Sequence, residues 1–383
     1  MREFQIAVFP GDGIGHEVMA PCLALLDLVV EHVGGFRLVF KIYEAGAELY
    51  RDTGVALPDD ALAAARDADA ILLGAMGLPA VRYPDGTEVA PQLDFREQFG
   101  LYAGIRPIRA IPGVRLPLAD PRAQKIDLVL VRESTEGLFA ARRLSYRSGD
   151  AVLDPMQISR GVCERLFAFA FDIARRRRAR GRPGHVTCVD KANVLPSMAY
   201  FRSIFLEVAR QFPDITHECA YVDATGLRLV RSPWDFDVLV TENMFGDILS
   251  DVGAGLIGGM GMAPSADIGD NHAVFQPCHG TAPDISGRGM ANPAAMFLSA
   301  AMMLEWLGER DNLSACGEAA LQLTQAVDSA FAAGDLIGHE NGGTAGTDEI
   351  SARVRAQLSC EKRVPAGSHA PTSRTTTKGR ATA

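Results

Sequence analysis

The chain of 383 residues (41.0 kDa) is long enough for two hydrophobic cores, because single cores stop growing near about 250–300 residues. Acidic residues outnumber basic ones by 47 to 38, a net charge of −9 that argues against a nucleic-acid binder, and no apolar run approaches the about 20 residues of a membrane span. Seven cysteines without a C-x-x-C pair, and an N-terminus without a signal-peptide apolar region, point to reduced thiols in a cytoplasmic protein.

Short β-rich runs alternate with helical patterns, the signature of an α/β fold. The spacing predicts a strand over Gln5–Phe9, a turn over Pro10–Gly15 and a helix from His16 to Val33. Further strands are expected at Leu38–Tyr43, Ala70–Leu73, Ile126–Val131, Val186–Val189, Glu218–Val222 and Asp237–Thr241. Helices are expected at Val162–Arg178, Ala199–Gln211 and Ala294–Leu307, the last with Asn292 as N-cap and Pro293 in the first position. From Val364 onward the sequence is polar, rich in Pro, Ser and Thr, and aperiodic, which reads as a disordered tail.

Several strands end in charged residues: Arg132, Asp190–Lys191 and Asp223. Open α/β sheets bind their ligands at the carboxyl ends of strands, so these ends are the first place to look for chemistry. In the turn Gly11-Asp12-Gly13-Ile14-Gly15, His16 stands where the third glycine of a dinucleotide fingerprint belongs, so a tight strand-to-helix turn is the simpler reading. Asp247 and Asp251 follow the strand Asp237–Thr241 and the expected cap Asn243. At i and i+4 the two carboxylates share one helix face and repel each other. Either a hard divalent cation, Mg²⁺ or Mn²⁺, relieves that repulsion, or the pair is a solvated acidic face. Arg96, Arg106 and Arg132 border apolar elements, and each is either a carboxylate clamp or a surface ion-pair partner. The run Arg175–Arg178 with Arg180 closes a helical segment, where cations complement the dipole. His279 to Asn292 forms a Gly/Pro-rich loop into a helix N-terminus, where backbone N–H groups hold phosphate and a carboxylate accepts from ribose hydroxyls.

Together the segments PGDGIG (10–15), VRE-x-TEG (131–137), VDKANVL (189–195), YVDA (221–224), FDVLVTENMFGDILSD (236–251), CHGTAPDISGRGMANP (278–293) and GGTAGTDE (342–349) resemble the β-decarboxylating dehydrogenases. This is the isocitrate/isopropylmalate dehydrogenase family, and within it isopropylmalate dehydrogenases are the most similar. The resemblance implies an α/β two-domain fold with a mixed sheet, not a Rossmann fold. Residues 1–101 with 258–360 would form a large domain bearing the NAD adenosine loop. Residues 102–257 would form a small domain with the metal site and dimer interface, and 361–383 would be a disordered tail. A homodimer with shared sites is implied, Lys191 and Asp223 reaching the neighbouring pocket. Residue by residue, the resemblance implies that Arg96, Arg106 and Arg132 grip substrate carboxylates beside Asp223, that Asp223, Asp247 and Asp251 hold Mg²⁺ or Mn²⁺, and that Lys191 removes the hydroxyl proton. His279, Gly280, Ala282, Asp284 and Asn292 would line the NAD site, with Asp284 favouring NAD because a carboxylate repels a 2′-phosphate.

The implied activity is NAD-dependent oxidative decarboxylation of a (2R)-malate carrying a 3-substituent, of the 3-isopropylmalate type, to a 2-oxo acid and CO₂. Tartrate/D-malate dehydrogenase and a catalytically weak regulatory subunit are the alternatives. Two positions depart from the family pattern. Phe139 stands where catalytic members carry the tyrosine that protonates the enol. Gln92 and Leu93 stand where isopropylmalate enzymes present a Leu-Leu pair, which suggests a more polar 3-substituent; the Ser and Asn of isocitrate enzymes are also missing there.

Overall fold

Runs of Val, Ile, Leu and Phe between Gly- and Pro-marked turns build the strands of the computed structural model, which describes residues 1–140 and 144–360. The expected tail, 361–383, lies outside the described residues. In chain order the strands are β1 (Arg2–Gly11), β2 (Phe36–Ile42), β3 (Ala70–Ala75), β4 (Ala103–Arg109), β5 (Asp127–Glu133), β6 (Tyr146–Ser148), β7 (Ala151–Leu153), β8 (His185–Asp190), β9 (Thr216–Tyr221), β10 (Val238–Thr241), β11 (Pro264–Ile268) and β12 (Ala273–Pro277). Ten of them form one sheet in the order β2-β1-β3-β12-β11-β4-β5-β10-β8-β9, while β6 and β7 pair as a separate hairpin. The two ends of the sheet are parallel; in the middle β11 runs antiparallel to both β12 and β4, and β4 antiparallel to β5. The sheet is therefore mixed and its order is not that of a dinucleotide-binding Rossmann fold.

Helices cover both faces, which is why β3 is buried along its whole length. The helix Arg160–Ala179 shows the pattern: Cys163, Leu166, Phe167, Ala170, Phe171 and Ala174 recur at three and four residues and are buried. Phe167 packs edge-on against Phe201 of the helix Pro196–Ala209, with centroids 4.7 Å apart. Its basic C-terminal run does more than complement the dipole. Arg175 pairs with Asp214, Arg176 with Glu309, Arg177 with Asp127 and Asp237, and Arg180 with Glu305.

The turn after β1 is fully engaged within the chain. The N–H groups of Asp12, Gly13, Ile14 and Gly15 donate to Ala75 O (2.7 Å), Glu48 Oε1 (3.2 Å), Thr281 O (2.9 Å) and Asp12 O (3.0 Å). Gly11 has φ +78°, and a Cβ there would lie 1.9 Å from Ala75 O, so only glycine fits. This turn joins a strand to a helix and leaves no N–H of these four residues for a phosphate.

The N-caps of two helices differ from expectation by one residue. Glu242, not Asn243, caps the helix Asn243–Leu256, accepting from Phe245 N (2.6 Å) and Met244 N (3.1 Å). Pro293, not Asn292, holds the cap position of the helix Ala294–Arg310, although Asn292 Oδ1 still accepts from Ala294 N at 3.1 Å.

Candidate active site

The pairing of β11, β4 and β5 places Asp267, Gly104 and Arg132 in one row across the sheet. Arg106, two residues along β4, shares that face, and the helix Pro91–Phe99 delivers Arg96 onto it. Gly104 is small for a reason: a Cβ there would lie 2.7 Å from Ser134 Oγ and 3.0 Å from Asp267 Oδ1. All three arginines are buried. Arg96 Nε donates to Asp267 Oδ2 at 2.9 Å and Arg106 Nη2 to Asp267 Oδ1 at 3.2 Å, while Arg106 Nη1 reaches the carbonyls of Ile105 and Ala266. Arg132 donates through Nε (3.0 Å) and Nη2 (2.7 Å) to Asn243 Oδ1, and through Nη1 to Asp247. Asn243 is thus an orienting residue, its own Nδ2 donating to Glu136 O at 2.9 Å.

Burial, then the charges of Arg96 and Arg106, push the Arg132 guanidinium down to about 10. Burial alone would raise the Asp267 carboxyl, but the three arginines hold it below the ordinary carboxylate value. Three buried guanidiniums thus meet the charges of three carboxylates, Asp267, Asp247 and Asp251, a balance that a divalent cation on the last two would tip toward binding an anionic ligand. Beside them lies a pocket of about 200 Å³, lined among others by Arg96, Leu93, Thr135, Phe139 and Asn243. Phe139 lies on a single helical turn, Gly137–Ala140, its ring centroid 5.7 Å from the Arg132 guanidinium carbon. Gln92 precedes Arg96 by one helical turn, and its Oε1 is buried with no hydrogen-bond partner.

At the other side of Arg132 stand Asp247 and Asp251, one turn apart on the helix Asn243–Leu256. Burial, then the Asp247 charge, raises the Asp251 carboxyl above its ordinary value. A cation between them would remove that repulsion, and all-oxygen donors suit a hard divalent ion. Asp223 is not gathered with this pair within one chain. It lies in the first turn of the helix Val222–Arg231, is largely exposed, and accepts from Lys191 Nζ at 2.6 Å, which lowers its carboxyl below the ordinary value. Among the described residues the close group of three potential donors is instead Cys188, Asp190 and Cys219.

The loop after β12 packs on the glycine turn: Thr281 O accepts from Ile14 N, and Thr281 Oγ1 donates to Gly77 O at 2.6 Å. Within it Ala282 has φ +38°, a conformation non-glycine residues rarely adopt, of the kind that collects at binding sites. Burial pushes the His279 imidazole below its ordinary value; Nδ1 lies 2.9 Å from Gly280 O, and Nε2 is buried without a partner. Gly280 and Asp284 are exposed. Asn292 is buried and ties the loop to Glu340, donating at 2.8 Å. A cavity of about 580 Å³ adjoins the loop at Pro283, with Arg51, Leu78, Val81 and Arg82. An unsatisfied ring nitrogen, a strained loop and an adjoining cavity fit a polar cofactor. A larger cavity, about 980 Å³, lies elsewhere, and its arginines Arg109 and Arg177 are paired with Asp328 and Asp127.

The family model for isocitrate/isopropylmalate dehydrogenase matches residues 5–354. The chain belongs to this family. It is 41% identical over 358 residues to the 3-isopropylmalate/3-methylmalate dehydrogenase of Methanocaldococcus jannaschii, covering 92% of this chain and 99% of that one. The 3-isopropylmalate dehydrogenase of Moorella thermoacetica is 43% identical over 332 residues, 83% and 89% of the two chains. Among solved structures, isocitrate dehydrogenase from Methylococcus capsulatus superposes with a TM-score of 0.81 at 33% identity, covering 94% of this chain and 99% of that one. The α/β fold with a mixed sheet is that of the isocitrate/isopropylmalate dehydrogenases, and among the described residues no helix is long and apolar enough to cross a membrane.

Sequence reading missed Asp267, which has no motif around it, and took Asn243 for a cap. Both roles depend on pairing that only the folded chain shows: Arg96 and Asp267 are 171 residues apart.

Proposed function

We propose that the chain is an NAD-dependent dehydrogenase, requiring Mg²⁺ or Mn²⁺, that oxidatively decarboxylates a (2R)-malate carrying a 3-substituent, of the 3-isopropylmalate type. The observation that carries this reading is the buried trio Arg96, Arg106 and Arg132 beside a pocket of the size of a small dicarboxylic acid. Guanidiniums bind carboxylates through paired N–H groups, so the trio would fix both carboxylates of a malate. Lys191 would take the hydroxyl proton as hydride leaves C2. Asp247 and Asp251, with Asp223 from a second copy of the chain, would hold the cation, and His279, Gly280, Ala282 and Asp284 would hold the nucleotide, the loop braced by Asn292. When bound, the two groups would supply a hydride acceptor and a positive charge that favours the alkoxide and then the enolate left by CO₂.

A cytoplasmic homodimer is part of this reading. Exposed apolar side chains gather on the β6–β7 hairpin (Tyr146, Val152, Leu153), on the helix Val222–Arg231 (Leu227, Val230) and at Ile248. Asp223 lies in the first turn of that helix, so an interface there would carry Asp223 toward a neighbouring pocket. Residues 1–101 with 258–360 and residues 102–257 would be the two domains, their strands meeting at the β11–β4 pair.

Gln92 favours a second reading within the family. Its buried, unpartnered Oε1 would accept from a substituent bearing O–H, as in tartrate. A kcat/KM panel of 3-isopropylmalate, 3-methylmalate, tartrate and D-malate separates the two. The 3-alkylmalates should lead, and Gln92→Leu should raise kcat/KM for 3-isopropylmalate by about 10-fold or more while lowering that for tartrate. Tartrate or D-malate leading in the native protein would select the second reading, and no NADH from any substrate would overturn both.

A further inference from the structure

Two cysteines outside the candidate active site face each other across the sheet. Cys188 on β8 and Cys219 on β9 are direct partners in the parallel register. Their sulfurs and one Asp190 oxygen lie within 4.8 Å of one another. Such a group invites a metal, but Asp190 is already committed. Arg202 holds its two oxygens at 2.7 Å each, and Ala192 N–H donates to Oδ1 at 2.8 Å. A guanidinium in that position repels a cation and favours anionic sulfur.

The two thiols alone are the reactive unit. Neighbouring strands lie about 4.8 Å apart, inside the about 4.4–6.8 Å Cα range that a disulfide spans. Cys188 is fully buried, whereas Cys219 is half-buried on β9, the edge strand. We propose that Cys188 and Cys219 form a dithiol that a hydroperoxide closes into a disulfide, and that closure disturbs the Lys191–Asp223 pair.

The roles of the two sulfurs differ. A hydrogen bond from Cys188, with Arg202 nearby, lowers the Cys219 thiol below its ordinary value, while burial raises Cys188. The Cys219 thiolate therefore attacks a peroxide oxygen; the O–O bond breaks, the leaving oxygen takes a proton, and Cys219 becomes a sulfenic acid. The Cys188 sulfur then attacks Cys219; the S–O bond breaks, and hydroxide departs as water with the Cys188 proton. Two thiols lose two electrons, and one hydroperoxide is reduced to an alcohol (or water) and one further water.

Closure draws sulfurs now within 4.8 Å to about 2.05 Å. Cys188 lies three residues before Lys191 and Cys219 four before Asp223, at the ends of the same two strands. A shift near 1 Å in a catalytic group costs about 10²-fold. The consequence for turnover rests on the reading of Lys191 given above; the disulfide itself does not.

The test treats the full-length protein with hydrogen peroxide, blocks remaining thiols and maps peptides by mass. Turnover, and hydrogen exchange of the peptides bearing Lys191 and Asp223, are read on the same samples. A Cys188–Cys219 linked peptide should form, exchange in both peptides should change, and NADH formation should fall by about 10-fold or more and return with dithiothreitol. Cys219→Ser and Cys188→Ala should each keep basal turnover and lose the sensitivity. Oxidation of methionines without the linked peptide overturns the dithiol. A linked peptide with unchanged exchange and turnover overturns the coupling. Exchange needs no substrate, so a wrong assignment of the activity leaves this test readable.

Discussion

Asp267 decides whether the arginine cluster can exist without ligand. It is buried, with Arg96 and Arg106 on its two oxygens and Gln276 Nε2 at 3.2 Å. Removing one partner from a buried ion-pair network leaves uncompensated charge, which costs about 3–5 kcal/mol. Asp267→Asn should therefore lose stability of that order in urea unfolding, with KM rising as Arg96 and Arg106 lose their orientation. A variant as stable as the native protein would contradict the role. Phe139 poses a different question. Its ring packs near Arg132 but has no hydroxyl to protonate an enolate. If that protonation limits turnover, single-turnover mixing should show a burst of NADH, and Phe139→Tyr should shrink the burst and raise kcat. No burst, with kcat unchanged or lower in the variant, would leave Phe139 as a substrate-packing residue.

At the scale of elements, the end of β5 and the turn behind it hold a buried acid. Glu133 accepts from Thr135 N (2.6 Å), Thr135 Oγ1 (2.6 Å) and Glu136 N (2.7 Å), yet burial pushes its carboxyl up to about 7. A glutamate in the unfolded chain titrates near about 4.3. Between those values the native state binds more protons than the unfolded one, so this residue's contribution to stability falls as pH rises through the window. The difference in unfolding free energy, native minus Glu133→Gln, should drop by about 3 kcal/mol from the low to the high side of it. Urea unfolding at the two ends checks this, and a pH-independent difference would contradict it. Legibility also varied by element. β3, β5, β8 and β10 were readable because both of their faces are buried and their sequences are mostly apolar, broken in β8 only by Thr187. β4 was not, since AGIRPIR carries two arginines and a proline whose place in a sheet makes sense only beside Asp267 and Asp328. β11 and β12 are five residues each and lie between prolines and loops. The helix cap shifted by one because the longer Glu242 side chain takes the N–H groups and frees Asn243 for Arg132. The spacing of Asp247 and Asp251 was visible from periodicity. The arginine trio came together only through the family resemblance, because each arginine alone reads more readily as a surface ion pair.

At the scale of the whole molecule, a chain of net charge −9 buries a cationic cluster at the middle of a ten-stranded sheet. With a divalent cation on Asp247 and Asp251, that cluster would attract a dianion inside an otherwise acidic protein. The antiparallel strands β11, β4 and β5 contribute Asp267, Arg106 and Arg132, so the site forms where the two parallel ends of the sheet are joined. On the proposed reading this chain, without a paralogous partner, is a complete metal- and NAD-dependent decarboxylating dehydrogenase. The direct measurement incubates the purified chain alone with 3-isopropylmalate, NAD⁺ and Mn²⁺ and follows NADH, CO₂ and the 2-oxo acid together. All three should be released in equimolar amounts, with release abolished by EDTA and by Asp247→Asn. No turnover by the chain alone, with activity restored only by a different subunit, would contradict it.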